Sequence, residues 1–165
     1  VHSDDLLAHE RVLSTIADSF KDPNVEAVFS DLVYVSKSDV NSVIRYWSSG
    51  SFHEKRLKQG WMPPHPTLYL RKETYERIGA FDTRFSISAD YDFILRLFNK
   101  SMGKFVYLPE VTYKMRVRGE SNKSIANVCK KMSEDYLALR NNKVGGLRTL
   151  AMKNFSKIKQ FNYRP

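Results

Sequence analysis

The chain has 165 residues, 42% of them hydrophobic and 13% aromatic, which is enough for a folded domain with a core rather than a disordered segment. Its single cysteine, Cys129, excludes an internal disulfide and a zinc site built from cysteines. No apolar run approaches the roughly 18 residues of a membrane-spanning helix. These features predict a protein of a reducing compartment, the cytoplasm.

The net charge of +9 is concentrated at the carboxy end of the chain. From Asn122 onward ten basic residues are opposed by two acidic ones, whereas residues 1–121 are close to neutral. This asymmetry predicts a negatively charged partner: a lipid surface, a phosphorylated substrate or a nucleic acid. Aromatic residues are not interleaved with the charge as in known RNA-binding motifs, so no nucleic-acid partner is expected.

Strand-like and helical patterns alternate along the first half of the chain. In chain order they predict a helix over 6–20, one or two strands over 25–35, a polar turn at 37–41, an ambiguous segment over 42–60, a strand over 67–70 and a helix over 73–78. Three prolines exclude helix at 63–66, and Gly79 is a good left-handed stop for the helix before it.

The second half continues this alternation. It predicts a helix that follows Ser88 and ends near Gly103, strands over 105–108 and 111–117 separated by Pro109 and Glu110, and helices over 124–141 and 147–161. The mixture of strands and helices predicts a layered α/β domain.

Asp90 stands in the first turn of the helix predicted after Ser88, which is a natural N-cap. A carboxylate there receives unpaired N–H groups and the positive end of the helix dipole. It should stay ionised at neutral pH and be rigidly aimed to accept a proton. For this segment alone, a helix-capping role is the simpler interpretation.

Adjacent carboxylates, Asp4 and Asp5, follow Ser3 near the start of the sequence. Such a pair at a strand end can hold a hard divalent cation and, through it, a diphosphate. The alternative is an ordinary acidic pair at the start of a helix.

His65 lies among three prolines in Pro63-Pro64-His65-Pro66. The stiffness of this loop favours a histidine displayed at a cleft, with a structural histidine in a rigid turn as the alternative. Further along, the segment with Arg116, Arg118 and Ser121 is typical of an anion-binding loop or, equally, of a solvated strand end.

The last predicted helix is amphipathic. Its apolar residues fall close to one face, while Arg148, Lys153, Lys157 and Lys159 lie mostly off it; the apolar set is Leu147, Leu150, Ala151, Phe155, Ile158 and Phe161. This pattern is typical of a helix that lies in the headgroup layer of an anionic membrane, or of a helix that packs on its own domain.

Taken together, these segments resemble the carboxy-terminal portion of a family 2 inverting glycosyltransferase of the GT-A type, closest to bacterial enzymes that build surface polysaccharides. The resemblance covers residues 2 to about 161 in order and spacing. The segments that carry it are His2–Leu6, Gly60–Thr67, Arg71–Asp82, Ile87–Asp92, Tyr107–Glu110 and Met115–Asn122.

The resemblance implies roles for these residues. Asp5, with Asp4 beside it, is implied to hold Mg²⁺ or Mn²⁺ on the diphosphate of a nucleotide-sugar donor, and Ser3 stands where many relatives carry an acid. Asp90 is implied to be the catalytic base. The implied substrate-binding residues are Trp61 and His65 on the acceptor side and Arg116, Arg118 and Ser121 over the diphosphate.

It also implies a fold and a setting. A GT-A enzyme begins with a Rossmann-like half that binds the nucleotide, so residues 1–121 correspond to an acceptor-side catalytic portion of a partial GT-A domain, lacking roughly 90 residues ahead of it. Residues 122–165 form a basic helical tail. The expected acceptor is a glycan or a lipid-linked saccharide at the cytoplasmic face of a membrane. The alternative function is a binding or interaction module without activity of its own.

Overall fold

The computed structural model describes residues 4–117 and 125–161. Its elements in chain order are β1 (Leu6–Leu7), α1 (Val12–Ser19), β2 (Val25–Val35), β3 (Val43–Trp47), α2 (Glu54–Lys58), a 3₁₀ turn (His65–Thr67), β4 (Tyr69–Leu70), α3 (Lys72–Ile78), α4 (Ala89–Lys100), β5 (Lys104–Arg116), α5 (Ile125–Asn141), α6 (Leu147–Ser156) and a second 3₁₀ turn (Ile158–Phe161).

A mixed sheet organises these elements. Its strand order is β1-β5-β2-β3, and β4 also pairs with β2. β2 and β5 run parallel, whereas the other pairs are antiparallel. β2 lies at the centre and is buried along almost its whole length, as its run of Val, Phe and Leu requires. The predicted α/β class is therefore confirmed.

Helices cover both faces of the sheet, because β2 has apolar side chains on both sides. On one face, Val12 and Ile16 of α1 pack against Val25 and Val28 of β2. On the other face, Ala27 and Phe29 of β2 join a larger core. This core includes residues of α4 together with Ala138, Leu139, Val144 and Leu150 from the carboxy-terminal part of the chain.

β5 is one strand where the sequence predicts two. Ser30 of β2 pairs with Leu108 and Asp31 pairs with Val111, so Pro109 and Glu110 have no partner on β2 and form a bulge. Proline has no N–H to donate, and a bulge is a position where the ladder does not need one. The strand therefore bends at Pro109 without ending.

Leu6 and Leu7 form a short strand, although the sequence predicts the start of a helix there. They pair with Lys114 and Tyr113 of β5, and α1 begins only at Val12. Periodicity within residues 6–20 contains no information about this distant partner, which explains the error.

Two local predictions about backbone geometry also need correction. The proline loop contains no α-helix, but a 3₁₀ turn begins at His65, with Pro66 in its first turn where no N–H is needed. Gly79 ends α3 at φ 88° and ψ 162°, an extended region that glycine alone adopts readily, rather than in the left-handed helical region.

Within residues 4–117 and 125–161, no helix combines the length and the apolar character needed to cross a bilayer.

Candidate active site

The proline turn that carries His65 is anchored on the central strand. The Thr67 hydroxyl is fully buried and lies 3.0 Å from the carbonyl oxygen of Ser30 and 2.9 Å from that of Pro64. The Ser30 N–H donates to the same hydroxyl at 3.3 Å. Proline rings restrict the backbone on both sides of His65. The position of the imidazole is therefore set by β2 and by the stiffness of the turn.

Asp90 meets His65 at the amino end of α4. Asp90 Oδ2 lies 3.3 Å from His65 Nδ1, and Asp90 Oδ1 accepts the Tyr91 N–H at 2.8 Å. The Asp90 side chain is 34% exposed and the His65 side chain 43% exposed. The carboxylate is thus held by the protein on one side and open to a substrate on the other.

Ser88 precedes α4, but its hydroxyl does not cap the helix as the sequence predicts. A carboxylate from α5 occupies this end instead. Glu134 accepts the N–H groups of Ile87 and Ser88 at 2.8 and 2.9 Å, and the hydroxyl of Ser86 at 2.8 Å. Burial acts to raise the pKa of Glu134, but these donors outweigh it and lower the pKa to about 2.

The Ser88 hydroxyl donates to Asp135, the neighbouring acid of α5, at 2.7 Å. Asp135 is buried and also pairs with Lys153 of α6 at 2.8 Å and with Lys131 at 3.2 Å. Burial opposes its charge, yet the two lysines and the serine hold the pKa of Asp135 below its usual range.

Lys153 is itself buried, and its Nζ lies 3.2 Å from the centroid of the Tyr91 ring. Burial lowers the pKa of Lys153 to about 7 against the opposing effect of Asp135. Through Ser88, Asp135 and Lys153, the amino end of α4 is tied to α5 and α6. The helix end that carries Asp90 is therefore positioned by the carboxy-terminal part of the chain.

A cavity of about 470 Å³ opens beside His65 and Asp90. Its walls are largely aromatic and aliphatic, and they include Tyr75 and Phe81. Arg71 also lines it, but its guanidinium donates to the carbonyl oxygens of Val25 and Phe20. A volume of this size accommodates a small organic ligand. The cavity therefore offers an apolar surface with a carboxylate and an imidazole at one end.

Asp5 lies at the opposite edge of the sheet and is not among the residues that line this cavity. It is nearly buried; its Oδ1 accepts the Arg116 N–H at 3.1 Å and its Oδ2 accepts the Tyr113 hydroxyl at 3.2 Å. β5 and β2 lie between β1 and β4, so three strand spacings, roughly 14 Å, separate the edge near Asp5 from the edge near His65. A ligand that touches both sites must span this distance.

The surroundings of Asp5 suit an anionic ligand with a hard cation. The Nε of Arg116 is buried and has no hydrogen-bond partner within the described part of the chain. Asp4, next to Asp5, is exposed. Over the same residues, no group of three or more His, Cys, Asp or Glu side chains is arranged to hold a metal ion. Mg²⁺ is, however, commonly bound by one or two carboxylates together with the phosphate oxygens of a substrate.

The remaining predicted site residues fall elsewhere. Trp61 donates its Nε1–H to the Ser49 carbonyl oxygen at 2.7 Å, and its ring packs against Phe29 and Phe98. It lines a different cavity, of about 600 Å³, between β3, the segment 56–62 and α6. Arg118 and Ser121 lie outside the described residues.

The sequence reasoning missed one buried acid in the central strand. Asp31 accepts hydrogen bonds from the Tyr46 hydroxyl, the Ser49 N–H and the Tyr107 hydroxyl, at 2.7, 2.7 and 2.9 Å. An aspartate within the apolar run of β2 was the available signal, because a buried charge requires such partners. These bonds fix the chain after β3, which in turn holds Trp61. From the sequence, Glu134 and Asp135 are predicted only to oppose the charge of the basic tail. Their contacts with the amino end of α4 were missed.

No model of a known protein family matches this chain, and no curated protein matches it.

Proposed function

We propose that this chain is the acceptor-side, catalytic part of an inverting GT-A type glycosyltransferase. The enzyme transfers a sugar from a nucleotide-sugar donor to an acceptor hydroxyl, in the synthesis of a polysaccharide or related glycan at the cytoplasmic side of a membrane. The observation that carries the proposal is the placement of Asp90 beside His65, at the mouth of an aromatic-walled cavity and at the amino end of α4.

Asp90 acts as the general base. The amino end of a helix favours a negative charge at this position. As the acceptor oxygen attacks the anomeric carbon from the face opposite the leaving group, Asp90 removes the hydroxyl proton. General base catalysis of this kind contributes roughly 10²–10⁴ in rate.

His65 positions the base. With its Nδ1 3.3 Å from Asp90 Oδ2, it restricts the carboxylate to a narrow range of orientations and favours its charge when the imidazole is protonated. The Tyr75 and Phe81 side chains offer apolar surface to the carbon face of a sugar ring in the acceptor.

The leaving diphosphate is assigned to the other edge of the sheet. The unpaired Nε of Arg116 suits a phosphate oxygen, and Arg118 and Ser121 of the following loop are proposed to contribute. Asp5 and Asp4 would hold Mg²⁺ or Mn²⁺, and such an ion neutralises charge on a diphosphate when bound. The donor and the acceptor together must bridge the roughly 14 Å between the two edges.

A transfer assay tests this function. The enzyme that includes the nucleotide-binding half is incubated with nucleotide sugars, Mn²⁺ and saccharide acceptors, and nucleoside diphosphate release and the anomeric configuration of the product are measured. Transfer with inversion is expected. Transfer with retention would contradict the proposal, and glycan binding without transfer would instead favour the non-catalytic binding module.

A further inference from the structure

The outer face of α6 and the 3₁₀ turn after it is apolar. Leu147, Phe155 and Ile158 are 71%, 69% and 59% exposed, and Ala151 between them is exposed as well. Leu147, Ala151 and Phe155 are four residues apart on α6, and Ile158 follows in the 3₁₀ turn; together they are here called the 147–158 stripe. Of the apolar face predicted from the sequence, Leu150 is buried, and the side chain of Phe161 lies outside the described part of the chain.

α6 is attached to the domain by its opposite side. Leu150 enters the main core, and the Thr149 hydroxyl donates to the Lys58 carbonyl oxygen at 3.0 Å. Lys153 is 2% exposed and pairs with Asp135. A surface helix normally buries its apolar side and exposes its lysines. Here the buried side carries a lysine. Although Phe155 borders the cavity between α6 and β3, most of the stripe's surface stays exposed after α6 packs on its own domain.

Residues 125–161, which carry the stripe, have a net positive charge. Residues 125–161 contain two acids, Glu134 and Asp135, and both are directed inward, to the end of α4 and to Lys153. The exposed basic residues of the same helices and of the turn between them are Lys130, Arg140, Lys143 and Arg148. An anionic surface therefore meets cationic side chains here with both neighbouring carboxylates already engaged elsewhere.

We propose that the 147–158 stripe docks into the headgroup layer of an anionic lipid bilayer, with Arg148 and the neighbouring basic residues contacting lipid phosphates. An apolar stripe flanked by positive charge is the arrangement by which helices bind such surfaces in the plane of the membrane. This inference stands independently of the proposed transferase activity.

Vesicle flotation with the 165-residue chain tests the proposal. Binding to phosphatidylglycerol-containing vesicles is expected to exceed binding to pure phosphatidylcholine vesicles and to weaken as salt screens the charges. Phe155→Asp is expected to lower the partition coefficient by roughly ten-fold or more, because a large apolar side chain no longer enters the bilayer. Arg148→Glu should reduce binding to the anionic vesicles alone.

Leu13→Asp is the matched control. Leu13 is 58% exposed on α1, on the other face of the sheet, so its replacement should leave vesicle binding unchanged. Circular dichroism melting of each variant verifies the fold. Equal binding to neutral and anionic vesicles, or equal loss from Leu13→Asp and Phe155→Asp, would overturn the proposal. Absence of vesicle binding, combined with a dimer in sedimentation that Phe155→Asp dissociates, would also overturn the proposal.

Discussion

Nδ1 of His65 lies 3.3 Å from Oδ2 of Asp90, although the two residues belong to separate elements. One is held by the proline turn, which Thr67 anchors on β2; the other is held by α4, whose amino end is bound by Glu134 and Asp135 of α5. The geometry of this pair therefore depends on parts of the chain that lie far apart in sequence.

Replacing His65 should affect turnover more than substrate binding. In the proposed transferase, His65→Ala is expected to lower kcat by about 10- to 100-fold with little change in acceptor KM, because Asp90 loses its fixed orientation. His65→Asn keeps an N–H near the position of Nδ1 and should recover part of the loss. Steady-state kinetics over a range of pH provides the test.

His53→Ala serves as the control for this series, since His53 is exposed and its side chain does not cap α2. Its kinetics should match those of the unmodified enzyme. A His65→Ala enzyme with unchanged kcat and an unchanged pH profile would remove His65 from the site.

The carboxylates near β1 should govern the response to divalent cations. Asp4→Asn and Asp5→Asn are expected to weaken Mn²⁺ binding in the presence of the donor, as measured by water proton relaxation. Asp5→Asn should also lower stability by about 1–3 kcal/mol, because an amide cannot accept from both Arg116 and Tyr113. Glu10→Gln, an exposed acid close by, is the control. Full activity in excess EDTA would contradict a metal at this site.

Glu134 should stabilise the fold in a pH-dependent way. Its pKa falls from an ordinary 4.5 to about 2 in the folded chain, so the unfolded chain binds more protons between these values. The contribution is therefore complete above about pH 4.5 and is lost as the pH falls toward 2. Glu134→Gln is expected to cost about 1–2 kcal/mol at pH 7 and progressively less in acid.

Thermal melting of the two proteins as a function of pH measures this difference. Glu76→Gln, which breaks an exposed pair with Lys72, should change stability by less than about 0.5 kcal/mol at every pH. A constant difference between wild type and Glu134→Gln from pH 7 to 2 would show that the carboxylate charge is not responsible.

Much of the fold could be predicted from local pattern. The apolar run of Val25–Val35, the polar turn at 37–41 and the helix after Ser88 all appear as expected, because burial and period are properties of contiguous residues. The short strand at Leu6–Leu7 and the continuous strand across Pro109 depend on pairing with distant residues, and no local window contains that information.

The same distinction applies to the candidate site. The position of Asp90 in the first turn of α4 and the stiffness around His65 could be predicted, since caps and prolines act locally. The hydrogen bond from the Ser88 hydroxyl to Asp135 could not be predicted, because a serine hydroxyl can bond equally well to a helix end or to a carboxylate. The burial of Lys153 was also unpredictable, since lysine is rarely buried unless paired and its partner lies on another helix.

The Asp135–Lys153 pair should show strong coupling. Asp135→Asn leaves the buried Lys153 without its carboxylate and is expected to cost about 3–5 kcal/mol, whereas Lys153→Met should cost less, because Asp135 still pairs with Lys131. The double variant should lose much less than the sum, because neither charge then remains without its partner. Urea unfolding of the four proteins gives the coupling energy; additive losses would mean that the pair does not interact.

The most direct measurement is the turnover of Asp90→Asn in the proposed transferase. Asp18→Asn is its control, because Asp18 is 66% exposed on α1 at the opposite face of the sheet. If Asp90 is the base, kcat falls by roughly 10²–10⁴ while the donor KM, the response to Mn²⁺ and the melting temperature stay near those of the unmodified enzyme. Turnover within a few-fold of normal in Asp90→Asn would contradict this assignment of the active site.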